Sequence, residues 1–131
     1  MNPSAAEFTT YDESRLAGVI ALCEAEGWPS FAENPDRAHA VLTAPGVTSV
    51  VALVDDQVAG FAYLQSDGHI QAHLSLIAVS ATHRRRGIAR ALLQYAVPLT
   101  GALRVDLVTD TADAFYSALP HRTLSGFRIY P

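Results

Sequence analysis

Hydrophobic positions in the first third of the chain follow the spacing of helix surfaces after one short extended segment. A strand is predicted at residues 8–11. Apolar residues then recur every three or four positions, which predicts a helix from about residue 14 to residue 26, ended by the helix-breaking segment Gly27–Ser30. A second helix is predicted over residues 34–44, because it opens with an Asn-Pro pair that suits a cap and a first turn.

The middle of the chain changes to patterns that are typical of β-strands. Residues 47–54, 58–64 and 69–79 are rich in β-branched and apolar side chains, and short polar turns separate them. The second of these turns contains Asp67-Gly68, a pair that is common in hairpins. The close spacing of the three segments predicts an antiparallel meander.

The last third of the chain returns to helix and strand patterns. A helix is predicted at residues 86–97, a long strand at 104–109, a short helix at 111–119 and a final strand at 126–130. The order strand, helix, strand predicts a parallel, right-handed pair. We therefore expect an α/β (α+β) fold, with a mixed, mostly antiparallel sheet of about six strands, a central parallel pair and about four flanking helices.

Composition bounds the class of protein. The chain has 131 residues, half of them hydrophobic, which fits one domain over residues 1–131 with a substantial core. Its one cysteine excludes an internal disulfide framework. Cys23 lies in an apolar stretch, so we expect a buried structural thiol rather than a nucleophile.

Charge and hydropathy indicate a cytoplasmic protein. The first residues lack a basic and then apolar signal pattern, and no apolar run is long enough to cross a bilayer. The formal net charge is −4, which disfavours general nucleic-acid binding. Positive charge is concentrated between Arg84 and Arg90, which suits a local anionic ligand better than a long polyanion.

The segment His83–Leu93 carries the strongest chemical signal. It places three consecutive arginines and Gly87 between an apolar strand and a helix. A helix start presents backbone N–H groups without partners and a partial positive charge, and a glycine lets a ligand approach the backbone. The segment is therefore a candidate phosphate site.

Two motifs in this context resemble the GNAT superfamily of acetyl-CoA-dependent N-acyltransferases. The family signature Arg/Gln-x-x-Gly-x-Gly/Ala corresponds to Arg84-x-x-Gly87-x-Ala89, directly after the strand that ends at Val79. Downstream, Thr109-x-x-Ala112-x-x-Phe115-Tyr116 resembles the family's fourth-helix motif, which usually starts with Asn. The element order also matches from Phe8 to Tyr130, so the resemblance implies a GNAT fold over nearly the whole chain.

The resemblance implies acetyl-CoA as the co-substrate. The backbone N–H groups from about Arg85 to Arg90 would bind the pyrophosphate, and the backbone of Ile77 and Val79 would hydrogen-bond the pantetheine arm. Thr109 stands where the family often has Asn, so one contact to that arm is weakened or replaced. The full set of expected cofactor residues is Ile77, Ala78, Val79, Arg84, Arg85, Arg86, Gly87, Ile88, Ala89, Arg90, Thr109, Ala112 and Phe115.

The resemblance also implies catalytic roles. Tyr116 would donate a proton to the departing thiolate; the alternative is a tyrosine of the core. Strand alternation predicts that His73, Ser75, Ile77 and Val79 share one face. Family members draw a base from this strand, so His73 is the candidate base and Ser75 its relay. The alternative for His73 is a structural hydrogen bond, and Glu26 and Glu33 are rival bases.

The acceptor side is less explicit. Trp28 and Phe31 either stack on an acceptor or pin their loop to the core, and Glu26 is suited to attract an ammonium group. The chain given ends at Pro131, soon after the final predicted strand, where many family members continue into a seventh strand. His121 is a further candidate for substrate contact in that space.

The expected function is acetyl transfer from acetyl-CoA to a primary amine, by direct attack in a ternary complex. The amine is either a small molecule or a protein amine, and the acyl group is acetyl or longer. A non-catalytic acyl-CoA-binding or regulatory module is the alternative. We expect no metal and no membrane or nucleic-acid partner, and the unfinished C-terminal sheet edge favours a homodimer.

Overall fold

One five-stranded sheet forms the centre of the structure, a computed structural model that describes residues 5–131. The strands lie in sequence order and pair antiparallel, except the last pair, which is parallel. They are β1 (Glu7–Thr10), β2 (Val47–Val54), β3 (Gln57–Ser66), β4 (Gln71–Val79) and β5 (Arg104–Asp106).

Helices cover both faces of this sheet. They are α1 (Leu16–Glu26), α2 (Pro29–Ala32), α3 (Pro35–Leu42), α4 (Ile88–Leu99) and α5 (Asp113–Ser117), and short 3₁₀ turns precede α1 and α4. Pro98 lies inside the last turn of α4, where only one backbone hydrogen bond is lost. The predicted helices are thus present, with α4 beginning two residues later than expected and continuing past the proline.

Two hydrophobic clusters lie on opposite faces of the sheet. The first, which we call the α1 core, packs α1, α2 and α3 against residues that include Phe61 and Tyr63 of β3. The second, the α4 core, packs α4 against residues that include Leu64 of β3 and Leu74 of β4. Neighbouring residues of β3 therefore supply opposite cores, as strand alternation requires.

A β-bulge in β4 interrupts that alternation. Tyr63 lies opposite Leu76, but the next residue, Leu64, lies opposite Leu74, so Ser75 is an extra residue on β4. His73 faces the α1 side, opposite Gln65, whereas Ile77 and Val79 pack against the α4 core. The prediction that His73, Ile77 and Val79 share one face is wrong, because period-two counting fails across a bulge.

The fold class is confirmed, but its C-terminal part is shorter than predicted. The sheet has five strands rather than about six, and its parallel pair lies at an edge rather than at the centre. β5 covers three residues instead of 104–109, and residues 126–130 form no strand; Phe127 and Ile129 there are 89% and 86% exposed. An alternating pattern forms a strand only where it pairs with another strand, and residues 126–130 pair with none of the described strands.

Candidate active site

The turn before α4 has a backbone conformation that is suited to an anion. Arg85 and Gly87 both have positive φ, at 63° and 77°, and Gly87 caps the helix. A concavity formed by such turns directs successive N–H groups inward. A Cβ on Gly87 would meet no atom within 4 Å, so this glycine is required by its backbone angle and not by crowding.

The N–H groups of this turn are free to bind a ligand. Ala91 donates to the carbonyl of Gly87 at 3.0 Å and begins the helical hydrogen bonds. Among residues 5–131, no acceptor binds the N–H groups from Arg85 to Arg90. An open groove of about 560 Å³ passes the same helix start, lined in part by Arg86 and Ile88.

The four arginines of the turn have different surroundings. The Arg84 guanidinium lies 2.6 Å from the Glu26 carboxylate, and its Nε donates to the carbonyl of Val79 at 3.2 Å. Arg85, Arg86 and Arg90 are exposed and form no ion pair within the described part of the chain. Three arginines are therefore available to an anion, and the fourth is engaged by the protein.

Beside the turn, the C-terminal half of β4 has an open edge. Pairing with β5 ends at His73 and Asp106, and no described strand continues it. Ser80 donates to the carbonyl of Ala59 at 2.8 Å, so the pair next to it, Val79 and Gly60, is a non-hydrogen-bonded one. The N–H and carbonyl groups of Val79, and by the same alternation those of Ile77, therefore face the open edge.

Tyr116 lies on α5, which follows β5 on the α4 side of the sheet. It is half-buried and packs against the α4 core, as Ile77 and Val79 do. Burial raises the pKa of the Tyr116 hydroxyl. Thr109 Oγ1 accepts a hydrogen bond from the Ala112 N–H at 3.0 Å and so fixes the start of α5. The Phe115 and Tyr116 rings pack edge to face, with their centroids 4.9 Å apart.

Across the sheet, the bulge gathers a second polar group. Ser75 Oγ accepts a hydrogen bond from Gln65 Nε2 at 2.9 Å. The pKa of the Tyr63 hydroxyl is raised, chiefly by burial, and the polar Ser75 side chain partly opposes that shift. His73 is exposed and lines a groove of about 400 Å³ together with Gln65 and Gln71. The sequence pattern does not identify Gln65, because its bond to Ser75 depends on the bulged register.

The candidate acceptor residues lie in different surroundings. Phe31 is buried and stacks on Tyr63, with ring centroids 5.6 Å apart, and Trp28 is half-buried against the same α1 core. Glu26 is bound by Arg84, as described above. His121 lies exposed in the segment after α5, where its Nδ1 is 2.7 Å from the Leu119 carbonyl.

Two kinds of feature are absent from the residues that the structure describes. Among residues 5–131, no group of three or more His, Cys, Asp and Glu side chains is arranged to hold a metal ion. Within the same residues, no helix is long and apolar enough to cross a membrane.

Comparison with known proteins gives a consistent result. The sequence model of the acetyltransferase (GNAT) family matches residues 7–117. No curated protein matches the sequence significantly.

Solved structures share the whole fold at low sequence identity. A Trypanosoma brucei acetyltransferase has a TM-score of 0.77 at 18% identity, covering 97% of this chain and 99% of its own. The ribosomal-protein-alanine N-acetyltransferase of Brucella melitensis gives 0.78 at 16%, covering 96% and 99%. The aminoglycoside N-acetyltransferase AAC(6')-Iy, in complex with a bisubstrate analogue that contains CoA, gives 0.73 at 22%, covering 98% of each chain.

Proposed function

The chain belongs to the acetyltransferase (GNAT) family, and we propose that it transfers an acetyl group from acetyl-CoA to a primary amine by direct attack in a ternary complex. The observation that carries this proposal is the combination of six free N–H groups at Arg85–Arg90 with an open strand edge beside them. A phosphate-bearing end and an amide-bearing arm are the two chemical features that such an arrangement binds.

The residues proposed for the donor site have chemistry that suits CoA. The N–H groups of Arg85–Arg90 are suited to the pyrophosphate, and the side chains of Arg85, Arg86 and Arg90 are free to neutralise phosphate charge. Ala89 keeps the first turn of α4 small where phosphates approach the main chain. The outward backbone groups of Ile77 and Val79, on either side of Ala78, suit the amides of the pantetheine arm. When bound, acetyl-CoA supplies the thioester carbonyl that the amine attacks.

Tyr116 is the proposed general acid. Because burial raises its pKa above the ordinary value near 10, its hydroxyl stays protonated at neutral pH. An ordinary thiol has a pKa near 8.5, so full proton transfer from the phenol to a free thiolate is uphill. Tyr116 Oη therefore stabilises the departing sulfur first by hydrogen bonding, and the proton moves as the bond breaks.

The proposed base side lies on the other face of the sheet. His73 and Ser75 both face the α1 side, so the pair remains available as base and relay after the bulge is taken into account. His73 Nδ1 or Nε2 takes the proton that a substrate ammonium loses before the attack, or the one that the amine loses once its C–N bond has formed, directly or through water. Ser75 holds a fixed orientation, because Gln65 donates to its hydroxyl oxygen.

The proposed acceptor is an amine that reaches the sheet from the α1 side. Trp28, half-buried at the C-terminal end of α1, is the proposed aromatic surface for a cation, and the buried Phe31 is proposed to hold its segment in the α1 core. Glu26 lies at the same end of α1, with its carboxylate paired to Arg84. His121 is proposed as an outer contact of the acceptor. The structural neighbours include an aminoglycoside and a ribosomal-protein-alanine acetyltransferase, which favours a small polyamine or a protein amine.

Location and assembly are also proposals. We expect a cytoplasmic protein, because its one thiol is free and buried. We expect a homodimer, because the outer edge of β5 pairs with no other strand of residues 5–131.

An acceptor screen tests the proposed reaction. The protein is incubated with acetyl-CoA and a panel of aminoglycosides, polyamines and N-terminal peptides, and free thiol and acetylated products are measured together. We expect thiol release coupled to an acetylated product for at least one class. CoA binding without product from any amine would favour the non-catalytic module instead.

A further inference from the structure

Arg84 joins two segments that belong to different parts of the proposed site. Its Nη2 lies 2.6 Å from Glu26 Oε1, and its Nε donates to the Val79 carbonyl at 3.2 Å. Glu26 is the last residue of α1, directly before the segment with Trp28. Val79 is the last residue of β4, at the end of the open edge. One guanidinium therefore bridges the end of α1, on the proposed side of the amine, and the end of β4, on the proposed side of acetyl-CoA.

The geometry of this bridge argues against a phosphate role for the Arg84 side chain. Its Nε and one Nη are already donating to protein oxygens, and the Glu26 carboxylate neutralises much of its charge. Arg85, Arg86 and Arg90 carry no such partner among the described residues. The charge available to phosphate is therefore on the other three arginines.

The bridge is also not chiefly a source of stability. The two side chains are 55% and 28% exposed, and an ion pair of this kind contributes little to folding. Its consequence is geometric, because it adds a second hydrogen bond to the peptide that joins Val79 to Ser80, whose N–H donates to Ala59. The carbonyl and the N–H of Val79 both face the open edge that suits the pantetheine arm.

We propose that Glu26 and Arg84 are positioning residues for the donor arm: Glu26 orients Arg84, and Arg84 holds the Val79 carbonyl so that the end of β4 is preset to bind the pantetheine amides. This inference rests on the proposed function, since it concerns the same donor. It places the Arg84 side chain at the pantetheine arm and not at the phosphates. Glu26 acts only by orienting Arg84.

The contributions of the pantetheine arm and of the phosphates are distinguished by using two donors. Acetyl-CoA has both parts, whereas S-acetylpantetheine lacks the nucleotide and its phosphates. Glu26→Gln and Arg84→Lys are measured with both donors, because lysine keeps the charge but cannot donate to Glu26 and Val79 together. We expect KM to rise by about three- to tenfold for both donors equally, as for loss of one charge-assisted hydrogen bond. We expect kcat to change less than KM, and the double variant to be no worse than either single one.

Controls distinguish the possible outcomes. Glu24→Gln removes an exposed carboxylate from the same helix, and that carboxylate forms no ion pair with any described residue. This variant should leave the KM values for both donors unchanged. Arg85→Met should raise KM for acetyl-CoA but not for S-acetylpantetheine. A loss for Arg84→Lys that is confined to acetyl-CoA would make Arg84 a phosphate ligand and overturn the inference.

The failure of the proposed function is recognised separately. Calorimetric titration of the wild-type protein with CoA measures donor binding without turnover. If the wild type does not bind CoA, the proposed function fails. If the wild type binds CoA and Glu26→Gln and Arg84→Lys bind it with unchanged affinity, only the positioning role fails.

Discussion

His73 and Ile77 lie on opposite faces of the sheet, although four residues apart on a regular strand would place them on the same face. The extra residue at Ser75 is the cause. Ile77 shares the α4 core with Tyr116, whereas His73 faces the α1 side with Gln65. The proposed acid and the proposed base therefore lie on different faces of the sheet.

Tyr116→Phe tests the proposed acid. We expect kcat to fall by about 100-fold, the lower end of what general acid catalysis contributes, because a thiolate is a good leaving group. CoA affinity measured by calorimetry should not change, since the ring and its packing on Phe115 are retained. An unchanged kcat would return Tyr116 to the role of a core tyrosine.

His73→Ala tests the proposed base. We expect kcat to fall by about 100-fold in the variant, the lower end of what a general base contributes, with CoA affinity unchanged. His69→Ala is the matched control, because His69 is exposed in the turn between β3 and β4. An unchanged kcat for His73→Ala would shift attention to Glu33 or to water.

Gly87→Ala tests the proposed phosphate site in the turn before α4. The φ of 77° at Gly87 should cost an alanine about 1 kcal/mol of folding free energy. Gly68→Ala is matched, because Gly68 has a φ of 82° and, like Gly87, an open space around its Cβ position. Chemical denaturation should show similar losses for both variants, and only Gly87→Ala should raise the KM for acetyl-CoA.

The reactivity of Cys23 follows from its environment. Its side chain is fully buried, and burial, with a smaller contribution from Glu26, raises the pKa of the thiol to about 11. At about pH 8 the thiol is almost entirely protonated, so a disulfide reagent should label the native protein slowly and the denatured protein to one equivalent. Fast labelling of the native protein would mean that the α1 core opens readily.

The sequence predicts the order of elements well where the pattern and the burial agree. β2 carries the predicted bounds of residues 47–54, because every position from Ser49 to Val54 is buried between the two cores. The sequence does not predict α2, because Gly27–Ser30 is typical of a helix break, although proline is well suited to a first turn. The final strand at 126–130 was predicted from alternation alone, and no strand edge is paired with it.

The donor part of the site is more predictable than the acceptor part. A glycine at positive φ before a helix is a local property, so Gly87 and its turn can be found from sequence. The contacts of Glu26 with Arg84, and of Gln65 with Ser75, join residues that are distant in sequence. The second contact also depends on a bulge, which no spacing rule identifies in advance.

The open edge of β4 has a consequence for the behaviour of the protein in storage. Outward N–H and carbonyl groups on an unpaired strand are a template for any extended chain, including a strand of another molecule. A ligand with amides that lies along Ile77 and Val79 would occupy the same groups. Aggregation of the unliganded protein and binding of the proposed donor should therefore compete for one strand edge. Added acetyl-CoA should then slow the aggregation of the stored protein.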